Sequence, residues 1–174
     1  MKYVLAGVAL VFAGCAICAA ETAPKAAKAQ LRDAQGQAVG TAKLRQVQSG
    51  VKISLVVIGI PAGTHAFHIH ALGKCDAPGF TTAGGHFNPE HKKHGLKNPE
   101  GSHAGDMPNI VVGANGKGKA TVTNSKVTLG QGENSVFQEA GTAIVIHAKE
   151  DDNMTDPAGN AGDRIACGVI EKVK

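Results

Sequence analysis

The sequence has no tryptophan, one tyrosine and five phenylalanines, so aromatic residues make up 3% of its 174 positions. The core must come from Val, Ile, Leu and Ala. Neither sign of charge dominates. The formal net charge is +4 with histidine neutral; Lys2 is the only charged residue in the first twenty, and the remainder carries +3. No basic cluster or stripe with interleaved aromatics is visible, so nothing points to nucleic acid as a partner. Beyond the first twenty residues no apolar run is long enough for a membrane-spanning helix. Cysteine is scarce: four residues, of which Cys15 and Cys18 fall in that first stretch.

Glycine, by contrast, is abundant, at 23 residues. Aliphatic residues cut by many tight turns suit a small all-β domain better than a helical bundle. The length points to one domain once a leader is removed. Residues 1–20 read as that leader. Lys2 supplies a positive start, Val4 to Ala16 is apolar but too short to span a bilayer, and Cys18-Ala19-Ala20 is a small-residue cleavage site. The mature domain would then be 21–174, starting near Glu21, and periplasmic. A competing reading takes Phe12-Ala13-Gly14-Cys15 as a lipoprotein box with Cys15 lipidated, which would give a membrane-anchored lipoprotein. Phe is an uncommon first residue for that box, which favours soluble export. Export places Cys75 and Cys167 in an oxidising compartment, where a disulfide is the default for the pair. Such a bridge closes about 92 residues, which the chain-entropy model values at about 4–5 kcal/mol.

Along the chain, Glu21 to Lys28 reads as a loose arm or the start of an edge strand. Apolar and polar residues then alternate. Ala29 and Leu31 interleave with Lys28, Gln30 and Arg32, and Ala42 and Leu44 with Thr41, Lys43 and Arg45. In the clearest strand Val51, Ile53, Leu55 and Val57 face one way, with Lys52 and Ser54 opposite. Further strands are expected at Ala66 to Ala71, Asn109 to Val112, Lys119 to Thr123, Thr142 to Ala148 and Ile165 to Glu171, about eight in all. Leu72 to Pro108 and Lys149 to Asp163 show no usable periodicity. Structureless loops this long in a compact domain are usually functional.

The eight histidines are unevenly placed: six lie between His65 and His94, followed by His103 and His147. His68-Ile69-His70 sits on an expected strand, where residues i and i+2 share a face and both imidazoles can reach one ion. Alone, such a pair is more often two solvated or core-edge histidines. His86 lies between flexible glycines and Phe87-Asn88-Pro89. His94 and His103-Ala104-Gly105-Asp106 follow, and with His86 they make a tetrahedral zinc set of three imidazoles and one carboxylate. His147 ends an apolar strand and brings it to the H-x-H pair. Four imidazoles without a thiolate or thioether favour a copper that takes both oxidation states. The two sets need seven histidine places but contain six histidines, so one ring serves both. His86, between the groups in sequence, is the natural bridge.

These residues resemble the copper/zinc superoxide dismutase family. Phe67-His68-Ile69-His70, Gly85-His86-Phe87-Asn88-Pro89, Lys93-His94-Gly95, His103-Ala104-Gly105-Asp106, Val145-Ile146-His147 and the stretch from Gly159 to Val169 follow its order and spacing. The resemblance runs from about Ala29 to the C-terminus. It implies an eight-stranded antiparallel Greek-key barrel or sandwich with two long functional loops. It implies one copper ion on His68, His70, His86 and His147, and one zinc ion on His86, His94, His103 and Asp106, in each subunit. Leu72 to Pro108 becomes the zinc loop, tied by Cys75–Cys167 to the last strand, and Lys149 to Asp163 the loop shaping the substrate channel. Asp151 takes the place of a carboxylate that hydrogen-bonds His68 and His94; otherwise it would read as a solvated loop acid. Arg164 takes the place of the arginine that docks superoxide; otherwise it would be a surface residue or a partner of Asp163.

The implied reaction is 2 O2•− + 2 H+ → O2 + H2O2, with copper cycling between Cu(II) and Cu(I) beside an imidazolate-bridged zinc and with His86 handling a proton. Superoxide is then the one expected small-molecule partner, a membrane is involved only if Cys15 is lipidated, and the protein is a monomer or a homodimer. Copper storage is a weaker reading, because storage needs no anion-docking arginine. A zinc-only structural role is weaker too, because all four copper histidines are present. The sequence departs from the animal enzymes in a shorter second loop, with Pro157 and Ala158 where those carry a steering lysine and threonine. Lys149 is a candidate substitute. His65 and His91 match no ligand position and are expected to be solvated.

Overall fold

The computed structural model describes residues 26–173. The expected leader, with Cys15 and Cys18, lies outside the described residues. Among the described residues there are ten strands: β1 (Ala26–Asp33), β2 (Ala38–Val47), β3 (Gly50–Ile58), β4 (Gly63–His65), β5 (Phe67–His70), β6 (Ile110–Val112), β7 (Lys117–Asn124), β8 (Ala143–His147), β9 (Arg164–Val169) and β10 (Glu171–Lys172). They form one antiparallel sheet in the order β4-β6-β7-β3-β2-β1-β9-β8-β5, with β10 on β1. The two ends of this path are consecutive in the chain. Only Ala66 separates β4 from β5, so the sheet curls round until its first and last strands meet, and a nearly closed barrel results.

The expected eight strands become ten because β4 forms ahead of the expected Ala66 to Ala71 run and because the last run is interrupted. At Ala66 the chain leaves β6 for β8: its N–H bonds the Lys149 carbonyl, and its carbonyl accepts from His147 N–H. At Ile170 the last run breaks where the N–H turns to Thr142. Counted as continuous runs there are eight. The chain crosses over from β3 to β4 and again from β7 to β8, in Greek-key fashion. One expectation is corrected. β1 is not an edge strand; it pairs with β2 on one side and with β9 and β10 on the other.

Period-two burial fills the barrel. Leu31, Leu44, Ile53 and Leu55 point inward with Phe67, Ile69, Ile144 and Ile146, and all are essentially inaccessible. β5 and β8 are also covered on their outer faces. Every residue of both strands is buried, the mark of a strand packed on two sides. The outer cover is the long loop after β5, whose Phe80 and Ala83 pack on Ala143, Val145 and Cys167. Cys75 of that loop is disulfide-bonded to Cys167 of β9, with their Cα atoms 5.6 Å apart. The loop is therefore fastened over the barrel wall rather than left in solvent.

Replacing Cys75 and Cys167 together by serine should destabilise the protein by about 2–5 kcal/mol. The urea midpoint should fall accordingly. An unchanged midpoint would show that the loop is held by packing alone.

Candidate metal centre

Alternation along β5 sends Phe67 and Ile69 into the barrel and His68 and His70 out, under the loops. β8 pairs in register, His68 opposite Val145 and Phe67 opposite Ile146, and ends at His147 beside the pair. The long loop returns His86 against β5, where it forms an isolated bridge with His70. Gly105 of the same loop packs against β5: its N–H bonds the Phe87 carbonyl and its own carbonyl accepts from Ile69 N–H. A Cβ at Gly105 would collide with the Ile69 carbonyl, so glycine is required for His103 and Asp106 to come this close.

Two donor sets result, each with one ligand atom per residue and all atoms within 4.8 Å of one another: His68, His70, His86 and His147, and His86, His94, His103 and Asp106. His86 belongs to both. The ring tautomers follow from the hydrogen bonds. His70 Nδ1 lies 2.9 Å from the Gly84 carbonyl and His147 Nδ1 3.2 Å from the Gly162 carbonyl. Carbonyls only accept, so these nitrogens carry the protons and both Nε2 atoms present lone pairs, 3.4 Å apart. His68 donates from Nε2 to Asp151 Oδ2 at 2.8 Å. That leaves His68 Nδ1 buried with no hydrogen-bond partner, and His86 Nε2 is in the same position. Buried polar atoms are almost always paired. Four buried imidazole lone pairs gathered with no proton between them are the arrangement a cation would complete.

The second set centres on Asp106. Its Oδ1 lies 2.9 Å from His86 Nδ1, 3.0 Å from His94 Nδ1 and 3.4 Å from His103 Nδ1. Its Oδ2 accepts from the backbone N–H groups of Gly95 and His103. Three ring nitrogens around one carboxylate oxygen match the donors and number of a closed tetrahedral site. Asp151 joins the two sets, with Oδ2 on His68 and Oδ1 3.0 Å from His94 Nε2. It is buried, not a solvated loop acid. The Asn109 side-chain amide fixes it by donating to the Asp151 carbonyl and accepting from the Asp151 N–H. Gly159 packs against it so closely that a Cβ would strike its Oδ1.

Burial sets the proton affinities. Desolvation lowers His68 to about 3, against the hydrogen bond it donates to Asp151. Desolvation likewise lowers His70 to about 2 and His147 to about 4, with further repulsion from His86 and Arg164, and it lowers His86. The His68–Asp151 contact is accordingly a hydrogen bond from a neutral ring. His94 differs. Burial pulls it down, but hydrogen bonds to Asp106 and Asp151 outweigh that and hold it up at about 9. Burial acts against both carboxylates, yet the histidine hydrogen bonds keep Asp106 and Asp151 well below the usual carboxylate range.

Arg164, at the start of β9, makes no ion pair with Asp163 among the described residues. Nη1 donates to the Phe80 carbonyl and Nη2 to the Gly84 carbonyl, both at 2.7 Å. The Gly84 carbonyl also accepts from His70, so the guanidinium and that ring share an anchor. Lys149 is exposed, with its aliphatic stem over Gly162.

The expected solvation of His65 is corrected: it is 3% exposed. Its Nδ1 is 2.8 Å from the His147 carbonyl and its Nε2 2.9 Å from the Pro61 carbonyl, so it braces the backbone of a donor histidine. Partners that are backbone carbonyls leave no mark in the sequence. His91 is exposed and joins neither donor set. The roles of Asn109 and Gly159 in placing Asp151 were also missed. Neither has a spacing that would single it out.

A nearly closed antiparallel Greek-key barrel carrying two donor sets that share a histidine defines a metalloenzyme of the copper/zinc dismutase class. The sequence profile of the copper/zinc superoxide dismutase (SODC) family matches residues 38–170, and this chain belongs to that family. It is 54% identical over 145 residues to "Superoxide dismutase [Cu-Zn] 1" of Aquifex aeolicus, covering 82% of this chain and 86% of the relative. With "Superoxide dismutase [Cu-Zn]" of Caulobacter vibrioides it shares 38% over 148 residues, covering 83% and 85%. Among solved structures, a SOD-like protein from Bacillus subtilis superposes with a TM-score of 0.78 at 39% identity, covering 82% of this chain and 96% of that one. The chain is an oxidoreductase acting on superoxide, with copper and zinc as its cofactors.

The metal-free protein should be most stable near pH 6.5–7. Below 6.5, His68, His70 and His147 stay neutral in the fold but take protons when unfolded, so stability falls as pH drops toward 4. Above 6.5, His94 keeps its proton only in the fold, so its contribution is lost as pH rises through about 9. Thermal midpoints of the metal-free protein between pH 4 and 10 check this. A midpoint that climbs steadily toward pH 4 or toward pH 10 contradicts the assignment.

Proposed function

We propose that His68, His70, His86 and His147 hold copper, that His86, His94, His103 and Asp106 hold zinc, and that superoxide is dismuted beside Arg164. The observation that carries this is the set of four buried, unprotonated ring nitrogens, next to a guanidinium anchored to the same loop. Copper bound there would supply one-electron chemistry between Cu(II) and Cu(I), and zinc on the second set would hold the geometry around His86. The chain does the rest. Arg164, permanently charged and planar, binds the small anion and orients it. Two of its five N–H donors are engaged by Phe80 and Gly84, which fixes its plane and leaves the others for the substrate. His86 Nε2, which has no protein partner, takes up a proton and gives it to the reduced oxygen species. Asp151 holds the tautomers of His68 and His94, so that each turns Nδ1 toward its own donor set.

Arg164→Ala should leave copper and zinc contents unchanged and lower the rate of superoxide consumption by about tenfold or more. Metal analysis with pulse radiolysis measures both. Undiminished turnover would mean the anion docks elsewhere, and a wild-type chain that binds copper without consuming superoxide would favour storage.

We further propose that residues 1–20 direct export to the periplasm. The apolar Val4 to Ala16 stretch and the small-residue site before Glu21 support this. Mass spectrometry of the protein from cells should find Glu21 at the N-terminus. Lipid on Cys15 would place it on the membrane, and an intact Met1 would contradict export.

A further inference from the structure

The four cations Lys28, Lys43, Arg45 and Lys52 are spread over 25 positions of sequence, but the sheet gathers them. Lys28 of β1 lies directly opposite Lys43 of β2, and Arg45 of β2 opposite Lys52 of β3. Lys43 and Arg45 are two apart on one strand, so the four form one block on the outer surface, and all are exposed. Like charges directly opposite across a sheet are destabilising. Here two such pairs sit side by side. Glu171, opposite Lys28, is the one acid in these two cross-strand rows, and among the described residues none of the four cations is in an ion pair. They wall a groove of about 750 Å³ whose lining also includes the half-buried Val47 and the exposed Val173. Lys117 and Lys119 extend the positive surface along β7.

This block cannot guide superoxide to the metal centre. Around the barrel β3 is four strands from β5 in one direction, and β2 is four strands from β5 in the other. The cations therefore lie on the wall opposite the donor histidines. A broad object resting on them would leave the metal centre facing away. β1 also begins here, since Ala26 shares a cross-strand row with Arg45, so the chain ahead of the barrel joins at the same place.

We propose that this face of β1, β2 and β3 docks the protein on a bilayer surface bearing anionic phospholipid headgroups. The charge is complementary. Clustered lysines and arginines near such a surface each contribute attraction, and the neighbouring valines, Val173 exposed and Val47 half-buried, suit the boundary between headgroup and acyl chain. Duplex DNA has no use for those valines, and the face offers no ring for stacking on a single strand. The docking rests on the surface alone and not on the assignment of the metals.

The test uses the chain from Glu21, which keeps every strand and loop of the barrel, loaded with copper and zinc. It is mixed with phosphatidylcholine vesicles and with vesicles containing phosphatidylglycerol, in low salt, and sedimented. The protein should bind the anionic vesicles and not the neutral ones, and release as salt is raised. Lys43→Gln with Lys52→Gln should weaken that binding by about tenfold or more. Lys92→Gln with Lys97→Gln, the same charge removed from the long loop, should leave it nearly intact. Superoxide consumption should be the same for all three proteins and unaffected by vesicles. No binding to anionic vesicles, or equal weakening by both double variants, would overturn the proposal. So would binding to heparin or duplex DNA in the absence of vesicle binding.

Discussion

The centre depends on the two-residue period of one short strand. β5 has four residues, and its two faces carry opposite chemistry: Phe67 and Ile69 on one, His68 and His70 on the other. The aromatic and aliphatic pair is pulled into the barrel by the hydrophobic effect, at about 1.5–3 kcal/mol for each fully buried side chain. Once that pair is inside, the histidines have no choice of direction. A slip of one residue would bury the imidazoles among leucines and expose the phenylalanine, at a cost large enough to exclude it. The core thus aims the two histidines, and no hydrogen bond within the site has to.

A strand whose outer face carries imidazoles cannot be left bare, because each ring must be dry and must keep one nitrogen engaged. The loops meet both needs. The segment fastened through Cys75 lays Phe80 and Ala83 on the wall beside the site, and its Gly84 carbonyl receives both His70 and Arg164. The second loop delivers Asp151 and the Gly162 carbonyl. Each donor histidine of the first set then has one nitrogen tied to protein, with the other turned to a common space. Dry surroundings explain why these rings stay neutral, and neutrality is the condition for ligating a cation. His94 is the counterpart. Between two carboxylates it holds its proton strongly, so a metal entering its set has to displace that proton.

Much of this was legible in the sequence where the physics is local. Period two in Val51 to Val57 marks a strand because one face is buried, and H-x-H marks a shared face for the same reason. The loop donors His94, His103 and Asp106 have no periodicity. They were read through their order and spacing in a known family. What escaped the reading depends on partners distant in the chain. β1 looked like an edge because the strands that cover its other side, β9 and β10, come more than 130 residues later. His65 looked solvated because its partners are two backbone carbonyls, which every residue possesses. The bend at Ala66 was invisible for the same reason: it is set by bonds to the backbone of Lys149 and His147.

The basic block on β1, β2 and β3 belongs with these cases. Nothing between positions 28 and 52 is a charge run, and a net charge near neutrality hides the clustering. Only the register of two hairpins sets lysine against lysine. A fold selected for stability alone would place an acid at one member of each pair, a single substitution on an exposed face that packs nothing. Substrate attraction does not account for the repulsion either, since the block faces away from the metal centre. An external counter-charge does: an anionic surface laid against the block turns the repulsion between its members into a shared attraction.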